Sequence, residues 1–120
     1  MSSNTLPKTA VLLAAGRGSR LRPHTDHTPK PLLPVAGRPT LDYVLTAVAR
    51  AGIERVVIVT HYLQQQIFDF VGTGARWGLQ AAFAQQPAML GTAHALECAI
   101  NAQPTWFDTP FLLCATDYIL

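Results

Sequence analysis

A continuous apolar run, residues 10–15 (AVLLAA), breaks at once into Gly16-Arg17-Gly18-Ser19-Arg20, and this junction constrains the chain more than any other feature. The run is too short to cross a membrane and has the composition of a strand covered on both faces. Further on, Lys30 is held between Pro29 and Pro31. Glycines let a backbone approach an anion and turn its N–H groups toward phosphate oxygens, while arginine offers those oxygens a planar fork of donors. The two prolines stiffen the chain around Lys30, so that its ammonium is presented in a fixed place. A buried strand feeding such a loop implies a site for a nucleoside triphosphate.

At 120 residues, 49% hydrophobic and 13% charged, the chain is at most one domain, with enough apolar material for a packed interior. No apolar run approaches the ~18–20 residues of a spanning helix. The first ten residues lack the charged and apolar regions of a secretory signal, and residues 1–8 read as a flexible leader. Cys98 and Cys114 are isolated, without CxxC or zinc spacing, and read as buried thiols of a reduced, cytoplasmic protein. The net charge of +2 is unevenly spread: residues 1–40 hold six of the nine cations (Lys8, Arg17, Arg20, Arg22, Lys30, Arg38) against one acid, Asp26. That excess suits a compact phosphate ligand. A nucleic-acid groove would want a basic stripe with interleaved aromatics, and none is present.

The remaining pattern alternates strands and helices. Thr40 is a plausible N-cap, with Asp42 in the first turn, for a helix whose apolar face is Leu41, Val44, Leu45, Val48 and Ala49 and which Gly52 ends. Residues 55–60 (RVVIVT) form a second doubly buried strand. A helix over 63–71 places Leu63, Ile67, Phe68 and Val71 on one side and stops at Gly72-Thr73-Gly74. Residues 79–84 are a third strand, weakened by alanine. Gly91-Thr92 opens a helix to about residue 100, and a last strand over 111–115 delivers Thr116-Asp117. This is the order of an α/β open sheet, three-layered, Rossmann-like and mostly parallel. In such sheets ligands sit outside the carboxyl ends of the strands, so the Gly16 loop, Gln85-Gln86 and Asp117 should gather at one edge. The ending Tyr118-Ile119-Leu120, apolar and without a closing helix, reads as the cut edge of a longer domain.

Two familiar phosphate loops fail here. Gly16 and Gly18 are not followed by the G-K-[ST] of a Walker A loop, and the third glycine of G-x-G-x-x-G is absent, with Leu21 in its place. A third pattern fits. Leu13-Ala14-Ala15-Gly16-Arg17-Gly18-Ser19-Arg20-Leu21-Arg22-Pro23, then Thr28-Pro29-Lys30-Pro31-Leu32 and Pro34-Val35-Ala36-Gly37-Arg38-Pro39, closely resembles the sugar-1-phosphate nucleotidyltransferases, of the glucose-1-phosphate thymidylyltransferase and uridylyltransferase kind. Their opening signature is L-A-A/G-G-x-G-[ST]-R-L-x-P, then P-K-x-L-x-P-V. Gln86-Pro87 followed by Gly91-Thr92-Ala93 resembles the family's base-reading glutamine and its later turn, and residues 112–117 resemble the strand that carries a metal-binding aspartate.

The resemblance implies a nucleotidyltransferase fold of which residues 1–120 are the N-terminal half of the catalytic domain, inactive when isolated. It also implies roles. The backbone of Leu13, Ala14, Ala15 and Gly16 would edge the nucleobase, and Gly18 and Ser19 would face the triphosphate. Arg20 would hold the β- and γ-phosphates and steady the departing pyrophosphate. Lys30 would bridge the α-phosphate and the incoming sugar phosphate. Gln86 would read a pyrimidine edge beside Gly91 and Thr92, and Asp117 would bind Mg²⁺. The implied partners are an NTP, UTP or dTTP, and a sugar 1-phosphate; neither nucleic acid nor membrane is expected, and a homo-oligomer stays open.

One position departs from the family pattern: Thr116 stands where glycine is usual, and a β-branched residue restricts that turn. The second metal aspartate and much of the sugar pocket of the family lie beyond residue 120. Other readings are a regulatory module that binds a nucleotide sugar without catalysis, and a related transferase acting on a phospho-alcohol such as phosphocholine. The four histidines, His24, His27, His61 and His94, lack mutual metal spacing and read as polar loop or helix residues; Tyr43, Phe68 and Trp77 read as packing residues. Trp77-Gly78 is expected to support the Gln86 loop indirectly.

Overall fold

The structure, a computed structural model, describes residues 6–14, 28–61, 64–88 and 90–115, with Lys30 described by its backbone. The apolar run forms strand β1 (Thr9–Leu13), which pairs in parallel with β4 (Arg55–Thr60) on one side and β6 (Phe111–Ala115) on the other. Beyond β4 lies β5 (Gln80–Gln85), also parallel, so the order across the sheet is β5-β4-β1-β6.

Helix α1 (Thr40–Arg50) links β1 to β4, α2 (Gln64–Val71) links β4 to β5, and α3 (Thr92–Ala102) lies between β5 and β6. Side chains alternate along each strand, so the sheet has two apolar faces. Ala10, Leu12, Val56 and Ile58 pack with Leu41, Leu45 and Val48 of α1 and with Ile67 and Val71 of α2. Val11, Val57, Val59 and Ala84 pack with Ala95 and Ala99 of α3 and with Trp106. Leu41 and Leu45 are completely buried, each stabilising the fold by roughly 1.5–3 kcal/mol relative to exposure. The alanines of β5 are small enough for α2 and α3 to settle on its two sides, which offsets their poor strand propensity. The order of travel explains the layers: the chain steps outward from β1 to β4 to β5, then returns past β1 to β6. Right-handed crossovers put helices on the opposite face when that direction reverses. The three-layer parallel α/β reading therefore holds.

Element boundaries shift by a residue or two. The first strand ends at Leu13, although Ala14 N–H still donates to the Val59 carbonyl at 2.9 Å. The third strand begins at Gln80, and α3 continues to Ala102. At the other end of β1 the Lys8 carbonyl accepts from the N–H groups of Glu54 (2.8 Å) and Arg55 (3.0 Å).

Four features differ from the sequence expectation or were absent from it. Residues 34–39 form a small hairpin, β2 (Pro34–Val35) against β3 (Arg38–Pro39), turning through Ala36 and Gly37 at φ 54° and 84°. Its prolines hid it, because they read as strand breakers. Thr40 is not an N-cap. It is the first helical residue, and Pro39 occupies the capping position. The Thr40 hydroxyl is turned inward and, finding the Leu33 carbonyl brought close by the hairpin, donates to it at 3.0 Å. Trp77 does not support the Gln86 loop: it precedes β5 whereas Gln86 follows it, and its indole N–H donates to Asp42 on α1 at 2.8 Å. Cys98 and Cys114 are free but only partly buried, and burial pushes the Cys114 thiol upward in pKa. No helix among the described residues is long and apolar enough to cross a membrane.

Candidate active site

All four strands of the main sheet run in parallel, so their carboxyl ends share one edge, in the register Ala84–Val59–Leu13–Ala115. The strand order reverses between β1 and β6, and ligands of open α/β sheets bind in the crevice at such a reversal. The chain segments that leave those two strands are the ones singled out from the sequence. Residues 15–27 follow β1 and residues 116–120 follow β6. Of the expected site residues, Ala15, Gly16, Gly18, Ser19, Arg20 and Asp117 lie outside the described residues, as do Arg17, Arg22, His24, His27, Leu63 and Thr116.

Leu13, Ala14, Lys30, Gln86, Gly91 and Thr92 are described. Ala14 and Gln86 flank the end of β4 from opposite sides: Ala14 N–H donates to Val59, and Gln86 N–H donates to Thr60 at 2.8 Å. They are therefore two strand spacings apart, about 10 Å, close to the span of a nucleoside. Lys30 opens a turn of 3₁₀ helix, Lys30–Leu32, in which the Leu32 N–H donates to the Pro29 carbonyl at 2.9 Å. Leu32 packs against the core. The Leu33 carbonyl accepts both the Thr40 N–H (3.1 Å) and the Thr40 hydroxyl, and the Tyr43 hydroxyl donates to the Val35 carbonyl at 2.7 Å. The lysine turn is thus fastened to the start of α1.

Gln86 is held more firmly than a loop amide. It is 2% exposed, and its Nε2 donates to the Gly91 carbonyl at 3.2 Å and meets His94 Nδ1 at 3.1 Å. Its backbone carbonyl accepts from His61 Nδ1 at 2.7 Å. Gly91 stands at φ 101°, ψ 175°, a conformation that is essentially glycine's alone, and from it the chain enters α3 at Thr92. The sequence does not mark these two histidines: His61 follows β4 and His94 lies in the first turn of α3, and neither offset forms a pattern that pairs it with Gln86. Among the described residues no group of three or more His, Cys, Asp or Glu side chains could hold a metal ion.

A four-stranded parallel sheet whose order reverses between β1 and β6 defines an open, Rossmann-like α/β domain. The comparisons with known proteins agree. The nucleotidyl transferase family model matches residues 9–120, and the chain belongs to that family. It is 41% identical over 110 residues to the N-acetylmuramate alpha-1-phosphate uridylyltransferase of Neisseria meningitidis serogroup B, covering 92% of this chain and 47% of that protein. It is 44% identical over 108 residues to the glucose-1-phosphate thymidylyltransferase of Streptomyces griseus, covering 90% of this chain and 30% of the relative. A crystal structure of UDP-glucose pyrophosphorylase complexed with UDP-glucose superposes with a TM-score of 0.79 at 24% identity, over 92% of this chain and 46% of that one, and shares its fold. The chain thus spans half or less of the length of these proteins.

Proposed function

We propose that this chain supplies the nucleotide-binding part of an enzyme that transfers a nucleotidyl group from UTP or dTTP to a sugar 1-phosphate, releasing pyrophosphate. The observation that carries this reading is the family match over residues 9–120, on a sheet whose reversal lies between the strand feeding the Gly16 loop and the strand feeding Asp117. Relatives named as uridylyl- and thymidylyltransferases of phosphorylated sugars support the substrate class.

The residue types suit the reaction. A sugar phosphate is already an oxyanion and needs no strong base to attack the α-phosphorus. The obstacle is bringing two polyanions together, and in-line positioning with fixed positive charge lowers it. Arg20 would take the β- and γ-phosphates and stabilise pyrophosphate as it leaves. Lys30, on a turn fastened to α1, would hold the α-phosphate and the attacking sugar phosphate together. Gly18 and Ser19 would face the triphosphate. The backbone of Leu13, Ala14, Ala15 and Gly16 would border the base on one side and Gln86, Gly91 and Thr92 on the other. Magnesium uses few protein ligands and leans on substrate phosphates, so a single carboxylate such as Asp117 suits it. Bound there, the ion would supply charge neutralisation on the phosphates.

The test is pyrophosphate release by the full chain, assayed with each triphosphate against a panel of sugar 1-phosphates. Lys30→Ala and Arg20→Ala should each lower turnover by orders of magnitude while leaving the far-ultraviolet circular dichroism unchanged. Near-normal pyrophosphate release by either variant would remove that residue from the mechanism.

A further inference from the structure

Gln86 is asymmetrically committed. Its side chain has a nitrogen with two hydrogens and an oxygen with lone pairs, ends that are alike in shape and opposite in hydrogen bonding. The Gly91 carbonyl can only accept, so the end that faces it at 3.2 Å is the nitrogen. The second hydrogen of that nitrogen is directed at His94 Nδ1, 3.1 Å away, and it needs a lone pair there. His94 is then the tautomer that carries its proton on Nε2. That nitrogen lies 3.9 Å from Cys98 Sγ, one helical turn further along α3, a weak acceptor suited to an N–H. The Gly91 carbonyl and the His94 lone pair hold the amide nitrogen inward, and the Cys98 sulfur can accept from the Nε2–H that this tautomer carries.

We infer that His94 is a positioning residue that makes Gln86 present its oxygen, and not its nitrogen, to a nucleobase, and thereby favours pyrimidines with an N–H at ring position 3 over cytosine. The inference rests on the proposed base reading by Gln86. Uracil and thymine carry a hydrogen on N3, which an amide oxygen accepts. Cytosine has a lone pair on N3, and an oxygen held against it repels. An amide free to rotate would serve either base by exchanging its two ends. With both nitrogen hydrogens already engaged, rotation would leave the Gly91 carbonyl and His94 Nδ1 facing an oxygen, and buried polar groups do not tolerate such mispairing. His94 does not touch the base in this arrangement; its effect on selectivity acts through Gln86.

Equilibrium binding of Mg-UTP and Mg-CTP to the full chain, measured by calorimetry, tests this without requiring the sugar to be known. The wild type should prefer UTP by roughly tenfold or more, the scale at which a site built for one hydrogen-bond pattern rejects another. His94→Leu keeps the bulk and removes the acceptor, and should bring the ratio to within about threefold. His94→Asn places an oxygen where Nδ1 stands, and should restore most of the preference. A preference that His94→Leu leaves intact, while Gln86→Ala abolishes it, overturns the role of His94 and keeps the base reading. A wild type without preference, or one that Gln86→Ala does not alter, overturns the base reading and this inference together.

Discussion

Thr40 gives both its backbone N–H and its side-chain hydroxyl to one acceptor, the carbonyl of Leu33, at 3.1 and 3.0 Å. The pair of bonds joins the first turn of α1 to the segment that carries Lys30. Thr40→Val preserves the shape and the backbone bond but removes the hydroxyl. The residue is 7% exposed, so water cannot replace what is lost, and the variant should be less stable by about 1 kcal/mol in urea unfolding. An unchanged midpoint would show that the hydroxyl bond is dispensable.

Gly74 tests a steric requirement below β5. It lies at φ 85°, and a Cβ placed there would stand 2.9 Å from the Leu79 carbonyl oxygen and 3.0 Å from Ala81 Cβ. The turn cannot move away easily, because the Leu79 N–H donates to the Gly74 carbonyl and the Ala81 N–H to the Thr73 carbonyl. Gly74→Ala should cost about 2 kcal/mol or more, combining left-handed strain with the close contact. Gly72→Ala is the control, since a Cβ there meets nothing within 4 Å; equal losses at the two positions would reduce the effect to backbone strain.

Ala36 offers the opposite opportunity. It adopts φ 54° in the two-residue turn between β2 and β3, next to Gly37 at φ 84°. Hairpin turns with both central residues at positive φ favour Asn-Gly. Ala36→Asn should therefore raise stability by roughly 0.5–1 kcal/mol, a part of the ~1–2 kcal/mol left-handed penalty for alanine, visible as a higher thermal midpoint. A lower midpoint would mean that the hairpin relaxes otherwise.

Asp42 predicts a pH dependence. The Arg38 guanidinium, bonded to it at 3.1 Å, and then the Trp77 indole hold its carboxyl below the ordinary value of 3.8. A carboxyl whose folded pKa is depressed stabilises the fold above its unfolded pKa, and that stabilisation disappears as pH falls through the folded value. Asp42→Asn should thus be less stable than the wild type at pH 6, and the gap should close below pH 3.8. Urea midpoints collected from pH 7 to pH 2 would show it; a gap of constant size would trace the effect to packing.

Much of the architecture was legible because burial imposes a period. Val56, Val57, Val59 and Ile58 form a run that only a doubly covered strand accommodates, and Leu41, Leu45 and Val48 repeat as one face of a helix. The candidate site was legible where short-range chemistry marks it: glycines beside arginines, and a lysine between prolines. The hairpin at residues 34–39 was not, since its prolines argue locally against strands and it is fixed by the Tyr43 and Thr40 hydroxyls reaching back from α1.

The sequence by itself determined the parallel α/β class, the faces that meet in the core, and the family, since each depends on periodicity or on residues adjacent along the chain. Only the tertiary structure decided that β1 lies between β4 and β6, so that the strand order reverses there. The same holds for the orientation of the Gln86 amide, set by a glycine carbonyl and a histidine that reach it across the turn from β5 into α3. Hydrogen bonds of that kind depend on distance in space, and residue spacing along a chain does not specify which end of a symmetric-looking amide will find its partners.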